Sequence, residues 1–277
     1  MDISTGFICN LAKQFSECTE EERNQIFKDL ITAPILHSDF TFGRVAGKQG
    51  AVIITATDDG KVLYQGRSKK GDEGVKDSPV EHYNGIHVSD HEAALIKHGN
   101  QHQECLGHIR RYAQNEVQNE PGKTWGKKTI EWIDRSTGYW HEVDDGFKKY
   151  DSETAEMYIA EFMEILNTAR EEYEYEPPSD YYKDGYNTYK RMEESPEDYV
   201  LFLRNPSVPP TNNLAERYAR KFKRKAYQIM SFRSQKGLDR FCDGLSVIES
   251  IKAEGGSVFN GIAARFNKRR AVVQEQQ

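Results

Sequence analysis

Residues 35–65 constrain the fold of this chain more than any other stretch. Ile35–Phe42, Gly50–Thr57 and Lys61–Gln65 read as strands, and Asp58-Asp59-Gly60 between the last two has the composition of a tight hairpin turn. Further along, Ile86–Ser89 and Glu104–His108 read as a fourth and fifth strand, with helical patterns at Ala93–His98 and Ile109–Glu116. Gly71–Tyr83 has room for a short helix broken near Pro79. Three antiparallel strands followed by strands separated by helices predict a mixed α/β sheet with helices on its faces.

Helices are expected on either side of this block. Phe7, Leu11, Phe15, Ile26, Leu30 and Ile31 recur at roughly helical spacing around Glu20-Glu21-Glu22-Arg23, and Pro34 stops them. Tyr158, Phe162, Ile165, Ala169 and Tyr173 give an amphipathic helix ended by Pro177-Pro178. After Pro209-Pro210 a helix is expected from Asn212 or Asn213 to about Lys225, then another from about Leu238 to Glu254, closed by Gly255-Gly256. The segment from Arg265 through Arg269, Arg270 and the glutamine-rich end reads as a basic, partly frayed tail.

Two strand ends carry acids: Asp39 follows Ile35-Leu36-His37-Ser38, and Asp90 follows Gly85-Ile86-His87-Val88-Ser89. A third acid, Glu216, lies in Asn212-Asn213-Leu214-Ala215-Glu216-Arg217 at the expected helix start. Carboxylates at two strand ends and on one helix suit a pair of hard divalent cations, which take oxygen ligands. Each acid also has an ordinary account, since Asp is common at turns and Asn213 to Glu216 has capping-box spacing.

The net charge of −6 opposes binding to nucleic acid when taken as a total, but it conceals a strong asymmetry. Residues 151–198 hold fifteen Asp and Glu against four Lys and Arg, whereas residues 204–240 hold ten Lys and Arg against two acids. A local basic surface is what phosphate requires. Trp125, Trp132, Trp140 and the many tyrosines beyond them suggest a small aromatic core within the acidic stretch. Base stacking is the sharper alternative, and the surrounding acidity disfavours it. No apolar run approaches the ~20 residues of a membrane span, and a signal-peptide pattern is lacking. Cys9, Cys18, Cys105 and Cys242 form no Cys-x-x-Cys pair, so reduced thiols are expected; Cys105 with His108 has metal-like spacing but too few local ligands.

His37-Ser38-Asp39-Phe40-Thr41, Val88-Ser89-Asp90, Cys105-Leu106-Gly107-His108-Ile109-Arg110-Arg111 and Asn212-Asn213-Leu214-Ala215-Glu216-Arg217 resemble, in order, the motifs of the bacterial DDE transposases of insertion-sequence family sixty-six. The resemblance runs from about residue 7 to about residue 266 and is weakest between 120 and 195. It implies a ribonuclease-H-like core in which Asp39, Asp90 and Glu216 hold two Mg²⁺ ions, with Mn²⁺ as a substitute. The expected parts are N-terminal helices over 1–34, a first core part over 35–118, a mostly helical acidic insertion over 119–208, and core completion with a basic helix over 209–277.

The implied activity is metal-dependent cleavage and strand transfer of an insertion sequence. The alternatives are an inactive remnant that only binds DNA, and a nuclease of the same fold. DNA-binding or auxiliary roles fall to His108, Arg110, Arg111, Asn213, Arg217, Arg220, Lys221, Arg224 and Arg233. For His108 a structural imidazole stays open, and one of Arg110 and Arg111 is expected to pair with a surface acid instead. The implied partners are transposon ends, target duplex, further copies of the chain on DNA and element-encoded helper proteins, in a cytoplasmic, nucleoid-associated setting. Phe40, Phe42 and Leu106-Gly107 depart from the family's usual Glu, Trp and Trp-Ala. Met1 stands 38 residues before Asp39, so the chain resembles the catalytic half alone.

Overall fold

The computed structural model describes residues 4–275, with side chains described as far as Lys268. Helices α1 (Thr5–Cys18) and α2 (Glu20–Thr32) precede strands β1 (Ile35–Val45), β2 (Lys48–Ala56) and β3 (Val62–Arg67). A short helix α3 (Asp72–Val75) and a 3-10 turn at Pro79–His82 lead to β4 (Ile86–Ser89) and β5 (Gln101–Glu104). Then come α4 (Leu106–Asn119), α5 (Trp125–Asp144), α6 (Ser152–Tyr175), α7 (Asp184–Glu194), α8 (Glu197–Arg204), α9 (Asn213–Ile229), α10 (Gln235–Ala253) and α11 (Val258–Glu275). The five strands form one mixed sheet in the order β3-β2-β1-β4-β5, flanked by helices, as expected of a ribonuclease-H-like domain. No helix among the described residues is long and apolar enough to cross a membrane.

The chain divides into two compact units. One runs through His87 and also takes Glu92–Asn100 and the residues from Asn213 onward; the other comprises Val88–His91 and Gln101–Asn212.

In the first unit β1, β2 and β3 form an antiparallel meander, with Asp39 opposite Ile54 and Ile54 opposite Tyr64. Successive side chains of a strand point to opposite faces. Leu36, Phe40, Ala51, Ile53 and Leu63 accordingly enter a core with Ile26 and Leu30 of α2, and Val52, Ile54, Val62 and Tyr64 enter a second core with Phe222 of α9 and Leu238 of α10. The β2–β3 turn is the one the sequence predicts: the Gly60 N–H donates to Thr57 O at 3.0 Å, and Gly60 adopts φ +89°, which costs glycine nothing. Ser234 caps α10 by accepting from Gly237 N at 3.2 Å, and Gly255 at φ +71° follows its end.

The second unit carries the five helices α4 to α8, with an aromatic core. Trp125 and Trp132 are fully buried, and Trp132 packs 4.8 Å from the Phe162 ring while donating its indole N–H to Tyr158 O at 2.8 Å. Core packing, rather than base stacking, is thus the role of these two rings. Asp151 caps α6, and Pro177-Pro178 lies just beyond its end.

Three elements differ from expectation. Ala93–His98 forms turns rather than a helix, its apolar pair Ala94 and Leu95 being buried in the α2-side core. The fifth strand is Gln101–Glu104, not Glu104–His108, because Leu106, Ile109 and Ala113 share the buried stripe of α4. The expected frayed tail is a helix over most of its length: Ile262 and Phe266 of α11 pack beside Phe15, and Arg265 grips Glu22 through two hydrogen bonds. The Arg269 and Arg270 side chains and Gln276-Gln277 lie outside the described residues.

Glu116 of α4 is fully buried, and neither carboxyl oxygen has a hydrogen-bond partner. Burial, then the nearby Glu120 and Glu172 carboxylates, push its pKa up to about 8. Below about pH 4.5 the carboxyl is protonated in folded and unfolded chains alike. Between there and about pH 8 only the unfolded chain has released the proton, so this group costs stability progressively as pH rises. Glu116→Gln is therefore expected to leave the urea midpoint unchanged at pH 4 and to stabilise the fold by about 1–3 kcal/mol at pH 8; an equal shift at both pH values would exclude ionisation as its cause.

Candidate active site and nucleic-acid interface

Asp39 lies within β1, half-buried, on the same strand face as His37, Thr41 and Gly43. That face is covered by α9: a Cβ added at Gly43 would stand 3.4 Å from Phe222 Cζ. His37 lies 3.7 Å from the Asp58 carboxylate in the β2–β3 turn. The nearby His37 imidazole, and after it the Arg217 charge, hold Asp58 below the usual carboxylate range against its partial burial. On the opposite face Ser38 Oγ meets His87 Nε2 at 2.7 Å, locking β1 to β4 beneath the acid.

Glu216 occupies the first turn of α9, where the helix dipole favours an anion. Its Oε2 accepts from Arg220 Nη2 at 2.6 Å. Asn213, Glu216, Arg217 and Asp39 all belong to the first unit.

Asp90 follows β4 in the second unit. Its Oδ1 is buried and has no hydrogen-bond partner. A buried carboxylate oxygen left without a donor is costly, and a divalent cation satisfies it. The proposed donor set consists of carboxylate oxygens, which matches Mg²⁺ or Mn²⁺.

The auxiliary residues separate by partner. His108 lies in the first turn of α4, edge-on to Tyr112 with ring centroids 6.4 Å apart. Arg110 makes a two-pronged pair with Asp134 of α5, Nε to Oδ1 at 2.7 Å and Nη2 to Oδ2 at 2.9 Å, while Arg111 is exposed. On α9, Arg217, Arg220, Lys223, Arg224 and Lys225 are exposed, opposite the buried Ala215, Tyr218, Ala219 and Phe222. Arg233, just before α10, is also exposed. Lys221 differs, since its Nζ bonds Glu249 Oε2 at 2.5 Å. Burial raises the Glu249 pKa, but hydrogen bonds from Lys221 and Lys252 outweigh it and hold the acid ionised.

Sequence reasoning missed the polar residues beneath the acids. His37, Ser38, His87, Ser89, His102, Gln103 and Glu104 are all buried within or beside strands. Their signal was a run of polar residues at inward positions of short strands, where apolar side chains are the rule.

A family model described as the IS66 family of transposases matches residues 1–240. No curated protein and no solved structure matches the chain.

Lys221→Met, which removes one of two cations from a buried carboxylate, is expected to cost about 1–3 kcal/mol in urea unfolding. Arg224→Gln, on the exposed face of the same helix, should stay within about 0.5 kcal/mol. Equal losses for the two would refute the structural assignment of Lys221.

Proposed function

The chain belongs to the IS66 family of transposases, and on that premise we propose that Asp39, Asp90 and Glu216 are the metal-binding triad of a DNA-cleaving and DNA-joining centre. The observation that carries this reading is the buried Asp90 Oδ1, left without a hydrogen-bond partner at the end of β4. Two divalent cations bound there would activate the attacking oxygen and stabilise the leaving one in an in-line displacement.

The protein's own part is positional. Asp39 is held by a strand locked on one side through Ser38–His87 and covered on the other by α9. Glu216 is presented by the first turn of that same helix. The exposed cations Arg217, Arg220, Lys223, Arg224 and Lys225, with Arg233, bind duplex phosphates and bring the scissile bond to the carboxylates. Arg111 adds a phosphate contact, while Arg110 serves the α4–α5 packing through Asp134. Hydrolysis first frees a 3′-OH at a transposon end, and that hydroxyl then attacks target DNA, with no covalent protein–DNA intermediate. Further copies of the chain assemble on the paired DNA ends.

Asp39→Asn, Asp90→Asn and Glu216→Gln should each reduce Mn²⁺-dependent nicking and strand transfer of a pre-cut end by at least about a hundredfold, with thermal unfolding little changed. Hydrolysis without joining would identify a nuclease, and DNA binding without either reaction an inactive remnant. Arg224→Gln should lower the slope of log affinity against log salt by about 0.9 if it contacts one phosphate.

A further inference from the structure

Three side chains behind Asp90 are connected in the order of a hydrolase triad. Asp198, in the first turn of α8, places Oδ2 3.3 Å from His102 Nδ1; His102 Nε2 lies 2.9 Å from Ser89 Oγ. A carboxylate only accepts, so Asp198 holds a proton on Nδ1 and sets the ring orientation. Nucleophilic catalysis is excluded by position, because Ser89 is fully buried and His102 is only 7% exposed. With Nε2 left as an acceptor, the single Ser89 hydroxyl proton is shared between that nitrogen and the backbone carbonyl of Asp90, 2.9 Å away.

The neighbouring bonds fix the same segment. Cys105 N donates to Ser89 O at 3.0 Å, Phe202 N of α8 donates to Gln103 Oε1 at 2.9 Å, and His91 Nδ1 lies 3.0 Å from Glu104 Oε2. All of these residues belong to the second unit, and the bonds hold the chain on either side of Asp90.

We propose that Asp198, His102 and Ser89 form a buried brace that sets the Asp90 carboxylate for metal binding, making Asp198 and His102 positioning residues supplied from outside the four sequence motifs. This rests on the assignment of Asp90 as a metal ligand. Groups that orient metal-binding side chains from behind are worth roughly 10–100-fold in metal affinity. An acid on an insertion helix thereby acts on the cleavage centre without touching metal or DNA.

The test is Mn²⁺ binding to the full chain, followed by electron paramagnetic resonance of the free ion, for Asp198→Ala, His102→Ala, their double variant, Glu197→Ala and Asp90→Asn. Asp198 is partly exposed, so its variant is expected to fold even where His102→Ala does not. Asp198→Ala should weaken binding about tenfold, with the double variant no worse than the weaker single, because links of one chain are lost together. Glu197→Ala, which removes the same charge from the adjacent position, should change affinity less than twofold. In cleavage assays the Mn²⁺ concentration for half-maximal rate should rise in Asp198→Ala while the rate at saturating metal is retained. If Asp90→Asn weakens Mn²⁺ binding but Asp198→Ala does not, the brace is wrong and the metal site stands. Equal losses in Asp198→Ala and Glu197→Ala would replace the brace with simple electrostatics. Unchanged binding in Asp90→Asn would overturn both the metal site and the brace.

Discussion

The strict two-residue alternation of β2 governs the first unit. Ala51 and Ile53 point into the core shared with α2, while Val52 and Ile54 point into the one shared with α9 and α10. A slip of one residue would exchange the two sets and bury each against the wrong helices. The Gly60 turn and the register pairing Asp39 with Ile54 therefore fix more than a hairpin. They decide that the odd residues of β1, Asp39 among them, face α9, whose first turn carries Glu216. Two candidate ligands thus inherit their placement from apolar packing, the strongest and least directional term available.

Within α9 the same logic separates two kinds of cation. Ala215, Tyr218, Ala219 and Phe222 form the buried stripe, leaving Arg217, Arg220, Lys223, Arg224 and Lys225 outside it. Lys221 stands at the border, tied to a glutamate that α10 buries. A helix with this many like charges gains nothing from them in isolation, since like pairs one turn apart repel. Its stability comes from the apolar stripe, which leaves the charge on the opposite, exposed face.

Much of this was legible in the sequence, and the failures have physical causes. The hairpin, the α6 stripe and the two C-terminal helices followed from periodicity and turn chemistry, whereas Asp39, expected at a strand end, lies in the middle of β1 because that strand runs on to Val45. The fifth strand was misplaced because Cys105-Leu106-Gly107-His108-Ile109 is apolar enough for either a strand or a buried helix start, and only the later spacing to Ala113 decides between them. Ala93–His98 is a short apolar run that satisfies the core as turns. In α11, the four-residue step from Ile262 to Phe266 was obscured by the basic cluster beside it, and the partner that makes it a buried face, Phe15, lies at the other end of the sequence.

The surroundings of Asp90 could not be read in this way. Ser89 and His102 are near in sequence, but Asp198 is distant, and nothing in local spacing marks one acid among the fifteen of residues 151–198. What distinguishes Asp198 is its partner. Arg204 takes Glu197 and Glu156, and Arg170 takes Glu193, through exposed pairs that contribute little individually. Asp198 instead closes a path of hydrogen bonds into a site that water hardly reaches, where orientation is costly to lose. Val88–His91 belongs to the same compact unit as Gln101–Asn212, so the proposed brace and the acid it serves share one unit.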